Sequence, residues 1–398
     1  MALVTAPLGR RDNFPYRKLD HREIRLLVVK KHSHWPRQNS LTCSIQHMTL
    51  PEDSEAPVPY TALSYTWGDG KDVTGLKLRD ESSGKSGEIT VTSSLILALQ
   101  TILEAGKRHI MWIDQLCIDQ SSAAKKGQQV QLMRWIYERA TSVHIWLGSA
   151  ADGSDEAMLY LRKNDGESVL RDASDPSKAR FTPQLECALK RLFDRPYWTR
   201  TWTMQEATAL GFLQIVVSCG HRSVSIERIF DWAMVAIGYS DSNLDNLLDL
   251  TLGGSIYALY GFWHRRRIPV QNLSRLVERV RILKASDPRD KIYSMLNFAT
   301  DIHESEITPD YTKTVRQAYT ELALWTIGKY RCLDILGDCP PSHADDVPSW
   351  VPDWSRDRWM NPFFKTSDAF DLDSSPLYRA SGGYICDLEV RNINVNTR

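Results

Sequence analysis

His109-Ile-Met-Trp-Ile-Asp114, Gly127 to Ala140, and Val143-His-Ile-Trp-Leu147 together decide the fold. The first and last pieces are short, continuous apolar runs, the signature of strands buried on both faces. Between them Val130, Met133, Ile136, Tyr137 and Ala140 recur at helical spacing, which predicts one helix over 127–140. Strand, helix and strand in this order predict a crossover unit of a parallel sheet.

The same reading extends in both directions. Tyr60-Thr-Ala-Leu-Ser-Tyr-Thr-Trp67 reads as another buried strand, ending in Gly68-Asp-Gly70. Upstream, Glu23–Val29 and the alternating Leu41–Met48 read as strands, and a hairpin has arms near Leu76–Leu78 and Ile89–Val91. Ser93 or Ser94 can cap a helix through Leu103, with Leu95, Leu99, Ile102 and Leu103 inward. Residues 149–180 break the rhythm with a helix and an Asp/Ser/Lys-rich loop, and read as an insertion. Pro183–Phe193 is helical, and Phe212–Ser218 is a fourth buried strand. From Ser225 the pattern is helical over 225–238, 243–260, 268–284, 290–299 and 312–329. The expected fold class is α/β: a flavodoxin-like parallel sheet flanked by helices, with insertions, followed by a mostly α-helical region. The expected divisions are an irregular arm (1–20), the α/β domain (21–222), a helical region (223–337) and a Pro/Trp/Asp-rich segment (338–398) packing on the rest.

With 398 residues the chain can bury a sizeable core. The formal net charge is zero, so no whole-chain electrostatic argument points to nucleic acid or membrane. Cys43, Cys117, Cys187, Cys219, Cys332, Cys339 and Cys386 are scattered, odd in number and without a CxxC pair. That argues against a disulfide framework and a zinc site, and places the chain in a reducing cytoplasm. The apolar run near Met1 is too short for a signal peptide, and no run reaches membrane-spanning length. Neither a P-loop nor GxGxxG occurs, so nothing points to a kinase, ATPase or standard dehydrogenase, and no cofactor is expected. His264-Arg-Arg-Arg267 is the one dense basic run, and reads as a solvated helix end.

Chemistry concentrates in Arg195-Pro-Tyr-Trp-Thr-Arg-Thr-Trp-Thr-Met-Gln-Glu206. If this run is helical, Trp202 and Glu206 share a face. A carboxylate beside an indole is partly desolvated and suited to a cationic or sugar-like substrate. The alternative is an acid paired with Arg200 on a helix surface.

These blocks resemble the hallmarks of the heterokaryon-incompatibility (HET) domain of filamentous fungi. The first is Tyr60 to Asp69 and the second Trp112-Ile-Asp-Gln-Leu-Cys-Ile-Asp-Gln120. Gln129–Tyr137 runs into Val143–Gly148, and the third hallmark is Trp198–Glu206. Asp287–Tyr293, Pro309-Asp-Tyr311 and Pro348–Trp354 are further family-like segments. HET domains are in turn similar to TIR domains. On that likeness Tyr60–Thr66, His109–Asp114 and Val143–Leu147 are the first three TIR-like strands, and 115–126 takes the place of the BB loop. Trp202–Glu206 resembles the TIR Trp-x-x-x-Glu segment, whose glutamate is catalytic in NAD-cleaving members. The hairpin 75–91, the insertion 149–180, Gln205 and the doubled tryptophan depart from that pattern.

The resemblance implies a cell-death effector in non-self recognition, with NAD or a related nucleotide as candidate substrate and Glu206 as the catalytic carboxylate. Such proteins work as assemblies, so self-association is expected. With no partner module recognised before Arg398, the trigger is expected in another protein. Trp67, Gly68 and Asp69 follow the first core strand, where doubly wound sheets bind ligands, though Asp69 can equally cap a turn. Tyr65 and Trp67 can line the site or pack in the core. Asp114 can bind a ribose hydroxyl or cap the next turn. Cys117 can contact substrate, or act as a nucleophile with His109 or His144 as base. Arg195 and Arg200 can meet a pyrophosphate, or pair with Asp194 and Glu206. Trp202 supports the pocket. Against the enzyme stands an interaction module that triggers death by recruiting partners, with no chemistry of its own.

Overall fold

A computed structural model describes residues 12–32, 41–51, 57–68, 70–121, 123–164, 182–208, 214–238, 259, 272–303, 305–339 and 347–356. The chain forms two compact units, Met1–Arg266 and Arg267–Arg398.

The first unit is built on one sheet. Its strands are β1 (Glu23–Lys31), β2 (Leu41–Thr49), β3 (Val58–Tyr65), β4 (Val73–Asp80), β5 (Ser86–Thr92), β6 (Arg108–Ile113), β7 (Ala140–Trp146), β8 (Ile215–Cys219) and β9 (Arg222–Ser225). They lie in the order β5-β4-β2-β1-β6-β3-β7-β8-β9. The centre, β6-β3-β7-β8, is parallel throughout. Counted along the chain these four core strands stand in the order 2-1-3-4, that of a doubly wound sheet. The order reverses between β3 and β7, so ligands are expected at the carboxyl ends of those two strands.

The sheet as a whole is mixed rather than purely parallel. β1 runs antiparallel to both β2 and β6, β5 to β4, and β9 to β8. Short connections such as the one from Asp80 to Ser86 can join only antiparallel neighbours. At that turn the Asp80 carboxylate accepts from the amides of Ser82 and Ser83 at 2.8 and 2.9 Å.

Helices cover both faces of the centre. On one face α1 (Ser93–Ile102) buries Leu95 and Leu99 in a cluster with Leu63, Tyr65, Ile113 and Trp146. Its cap is Thr92, whose Oγ1 accepts from the Leu95 amide at 3.4 Å, and not Ser93 or Ser94. Those two hydroxyls donate instead to Asp72 and to the Thr66 carbonyl. Past β6 come the single turn α2 (Asp114–Cys117), α3 (Ala123–Gln131) and α4 (Met133–Arg139). The one helix expected over 127–140 is thus broken at Leu132, whose amide bonds the carbonyl three residues back, on Gln129. That tightening shifts the register without disturbing the apolar spacing. α4 lies on the other face, where Tyr137 donates to the Leu63 carbonyl and meets Trp112 edge-to-face at 5.4 Å. Such a ring pair contributes about 1 kcal/mol beyond its burial.

Within the expected insertion, α5 (Ser154–Lys163) is helical, and 165–181 lie outside the described residues. α6 (Pro183–Phe193) occupies its expected span, with Thr182 capping it through the Leu185 amide. A 3₁₀ turn (Pro196–Thr199) leads to α7 (Thr203–Thr208), and α8 (Ile226–Gly238) follows β9. The helix expected over 243–260 lies outside the described residues apart from Leu259.

From Asp12 onward the N-terminal arm has no regular structure, yet it is pinned. The Asn13 amide donates to the Glu88 carbonyl at 3.0 Å. The Glu88 and Thr90 amides donate to the side chains of Asn13 and Asp12 at 2.6 and 2.7 Å. Phe14 lies over Gly87, where a Cβ would come within 2.6 Å of the Phe14 Cα. Tyr16 donates to the Leu116 carbonyl at 2.8 Å, with the Arg25 guanidinium over its ring.

In the second unit α9 (Leu273–Arg279) runs into a 3₁₀ turn, shorter than the expected 268–284. Of the expected 290–299 only α10 (Asp290–Tyr293) is helical. The chain then tightens into turns, with the Met295 amide on the carbonyl three residues back. α11 (Val315–Tyr330) opens on a capping box of Thr314 and Gln317. Buried Arg281 pairs with Glu278 and donates to the Asp353 carbonyl, and Trp354 meets Tyr319 edge-to-face, so segment 347–356 is bound to this unit.

Candidate functional site

A polar constellation is assembled at the carboxyl ends of β3, β6 and β7. Glu206 lies in α7, within a turn that begins at Trp202, whose carbonyl accepts from both the Gln205 and Glu206 amides. The Thr203 hydroxyl bonds the Arg200 carbonyl at 2.6 Å and fixes the start of that turn. α7 packs on β3 and β7. Glu206 is 2% exposed, so the surface pairing with Arg200 is not what forms. Instead Ser64, on β3, donates its hydroxyl to Glu206 Oε2. Tyr197 lies 2.8 Å from the Ser64 oxygen. Since the one Ser64 proton is committed to Glu206, Tyr197 is the donor, and a chain runs from Tyr197 through Ser64 to the carboxylate. Oε1 has no hydrogen-bond partner among the described residues.

Beside it, Asp114 opens α2 rather than ending β6. Its Oδ1 accepts from the Gln115 amide at 2.7 Å, and both carboxylate oxygens lie about one hydrogen bond, 3.0 and 3.1 Å, from Trp67 Nε1. Asp114 therefore holds the indole that follows β3, and the cap position of its own turn belongs to Ile113. Burial, reinforced by the nearby Glu206 charge and opposed by Arg200 and the Trp67 N–H, pushes its pKa up to about 6. Arg200 donates to the Tyr65 carbonyl at the end of β3. Burial works against its charge, but Glu206 and then Asp114 outweigh that and raise its pKa. Arg200 thus stands as counter-charge to two carboxylates.

The structure sorts the remaining candidates. Tyr65 is buried and donates to Gln115 Oε1 at 2.8 Å, an oxygen that also faces the Thr92 amide and hydroxyl. Trp202 is buried, and its indole N–H has no partner among the described residues. Gly68 has φ +84°, a conformation that favours glycine, and Asp69 lies outside the described residues. Arg195 donates to the Leu147 carbonyl at 2.8 Å, just past β7, and not to Asp194.

The cysteine nucleophile fails on geometry. Cys117 is fully buried, its sulfur accepts from the Ile113 amide, and burial pushes its pKa up to about 12. The proposed bases are engaged elsewhere: His109 faces the Glu104 carbonyl, and His144 lies 2.8 Å from the Ser218 hydroxyl. Burial drives His144 down to about 4. Among the described residues no group of acidic, His and Cys side chains could hold a metal ion, and no helix is long and apolar enough to cross a membrane.

Sequence reasoning missed Ser64, Tyr197 and Gln115. The available signal was a serine inside an apolar strand, Leu63-Ser64-Tyr65, where a buried hydroxyl demands a partner.

Comparison with known proteins bears on this geometry. Residues 60–206, which hold the whole constellation from Ser64 to Glu206, match the family model described as Heterokaryon incompatibility protein (HET). The chain is 29% identical over 371 residues to heterokaryon incompatibility protein 6, OR allele, of Neurospora crassa. That match covers 75% of this chain and 54% of the relative, so the chain spans about half the relative's length. No solved structure matches.

Proposed function

We propose, from the premise that residues 60–206 form a heterokaryon incompatibility (HET) domain, that the chain is a cytoplasmic cell-death effector of non-self recognition that cleaves the N-glycosidic bond of NAD or a related nucleotide. The name of the Neurospora crassa relative supports the biological role. The observation that carries the chemistry is Glu206, held through Oε2 by the Tyr197–Ser64 chain at the switch point of the sheet.

The leaving nicotinamide departs as a neutral pyridine from a cation and needs no general acid. Charge builds on the ribose, as in glycoside hydrolysis, and a fixed carboxylate beside it lowers the barrier. In this reading Ser64 and Tyr197 keep Glu206 from turning away. Arg200 balances the carboxylate pair, while Trp67, Gly68, Asp114 and Trp202 shape the pocket wall. The 2% exposure of Glu206 means that the ligand enters by displacing part of that wall, and self-association is the proposed means.

The same exposure favours a second reading, a module that triggers death by recruiting partners without chemistry. Following nicotinamide release from NAD by the purified chain and by Glu206→Ala separates the two. Release by the wild type, lost in the variant, is expected. No release at high protein concentration, with assembly confirmed, would sink the enzyme reading.

A further inference from the structure

We infer that Arg195 is the phosphate-binding residue of this site, and that it selects a dinucleotide over a nucleoside. The ligand's identity rests on the glycohydrolase reading; the place of the anion site rests on the strand ends.

Arg195 and Arg200 come from the same run of sequence, and each donates to a carbonyl at the end of a neighbouring core strand. Arg200 reaches Tyr65 on β3, and Arg195 reaches Leu147 past β7. Their electrostatic situations differ. Arg200 lies in the field of Glu206 and Asp114 and is neutralised by them. Arg195 is half-buried, makes no ion pair among the described residues, and has the Leu147 carbonyl as its one hydrogen-bond partner there. The rest of its planar fork of donors is uncommitted, the geometry that recognises phosphate bidentately.

Gly148 marks how closely the guanidinium lies against this strand end. It follows Leu147 with φ +105°, and a Cβ there would come within 3.1 Å of Arg195 Nη1. Glycine keeps open the space that the guanidinium fills.

The strand register fixes the spacing. Tyr65 pairs with Trp146, so Leu147 lies one strand across and one residue further on. With strands ~4.8 Å apart and a rise of ~3.3 Å per residue, the two strand ends are roughly 6 Å apart. The carbonyls that hold Arg200, the counter-charge of Glu206 and Asp114, and Arg195 are therefore spaced on the scale of one sugar. A nucleotide with a cationic ring, a ribose and a diphosphate has the matching polarity.

Inorganic pyrophosphate, titrated calorimetrically into the full chain at low salt, tests this. The wild type is expected to bind, more weakly as salt rises. Arg195→Gln should weaken binding about tenfold, the scale of one charge-assisted contact. Arg195→Lys should fall between, keeping the charge but losing the fork, and it decides the matter if Arg195→Gln does not fold. The ratio of kcat/KM for NAD to that for nicotinamide riboside should drop about tenfold in Arg195→Gln. No pyrophosphate binding by the wild type, or equal binding by the variants at unchanged melting temperature, overturns the inference. Pyrophosphate binding that depends on Arg195, without nicotinamide release, would leave the anion site standing and remove the glycohydrolase reading alone.

Discussion

Replacing Asp114 by Asn should remove a pH dependence of stability that the wild type carries. The folded carboxyl holds its proton up to about pH 6, whereas an unfolded one releases it near ~3.9. The folded pKa is raised, so the group costs stability as pH climbs through the unfolded value, and the cost is complete above the folded one. A shift of about two units corresponds to about 3 kcal/mol, of which about 2 kcal/mol falls between pH 4.5 and pH 7.5. Asp114 is 5% exposed, so little of this is screened by solvent. Asn keeps an acceptor for Trp67 Nε1 and the Gln115 amide but never ionises. The offset from altered hydrogen bonds is the same at every pH and cancels in the comparison. Urea unfolding of both chains, followed by tryptophan fluorescence across this range, should show the difference in free energy growing by about 2 kcal/mol in favour of Asp114→Asn. Profiles that run parallel to within ~0.5 kcal/mol would refute the raised pKa, and with it the desolvation of the Asp114 carboxyl that chiefly causes it.

Three further outcomes are expected. Ser64→Ala leaves both a buried carboxylate oxygen and the Tyr197 hydroxyl without partners and should cost about 3 kcal/mol, against about 1 kcal/mol for Tyr197→Phe, which frees only an acceptor lone pair; equal costs in chemical unfolding would reverse the direction assigned to the chain. Gly87→Ala drives a methyl group into the Phe14 backbone, so limited proteolysis should cut the N-terminal arm faster than in the wild type, and an unchanged cleavage rate would contradict the packing. Iodoacetamide applied to the native chain at pH 8 should label exposed Cys187 and spare Cys43 and Cys117, whose pKa values burial pushes up to about 12; peptide mass spectrometry reads the result, and early labelling of Cys117 would count against its burial.

The core strands were legible because burial on both faces leaves an unbroken apolar run that no exposed segment can afford. β6 carries it whole, and β1, β3 and β7 carry it interrupted by single polar residues such as Arg25, Ser64 and His144. The mixed character of the sheet was harder to read, since alternation in β2 and β4 reports which face is wet and not which neighbour is paired. The break at Leu132 left no trace because a one-residue tightening preserves the apolar stripe. In the site, the place of Glu206 was readable from local spacing with Trp202. Its partner was not: Ser64 is 142 residues away, and a single serine in a strand has no periodicity to betray what it bonds. Cys117 is half such a case: its sulfur bonds Ile113 of its own motif, but its carbonyl is held by Arg25, 92 residues away.

The arm laid along β5 also bears on how copies of this chain can meet. A rim strand normally offers a ladder of unpaired amides to any extended peptide, and so invites templated polymerisation. Here the outward amides of Glu88 and Thr90 are already occupied by Asn13 and Asp12 of the same chain. The opposite rim, β9, is only four residues long. An invading strand finds one border sealed and the other too short to hold it. Both rims are thereby closed to strand-by-strand growth, the mode of polymerisation that is seldom reversed.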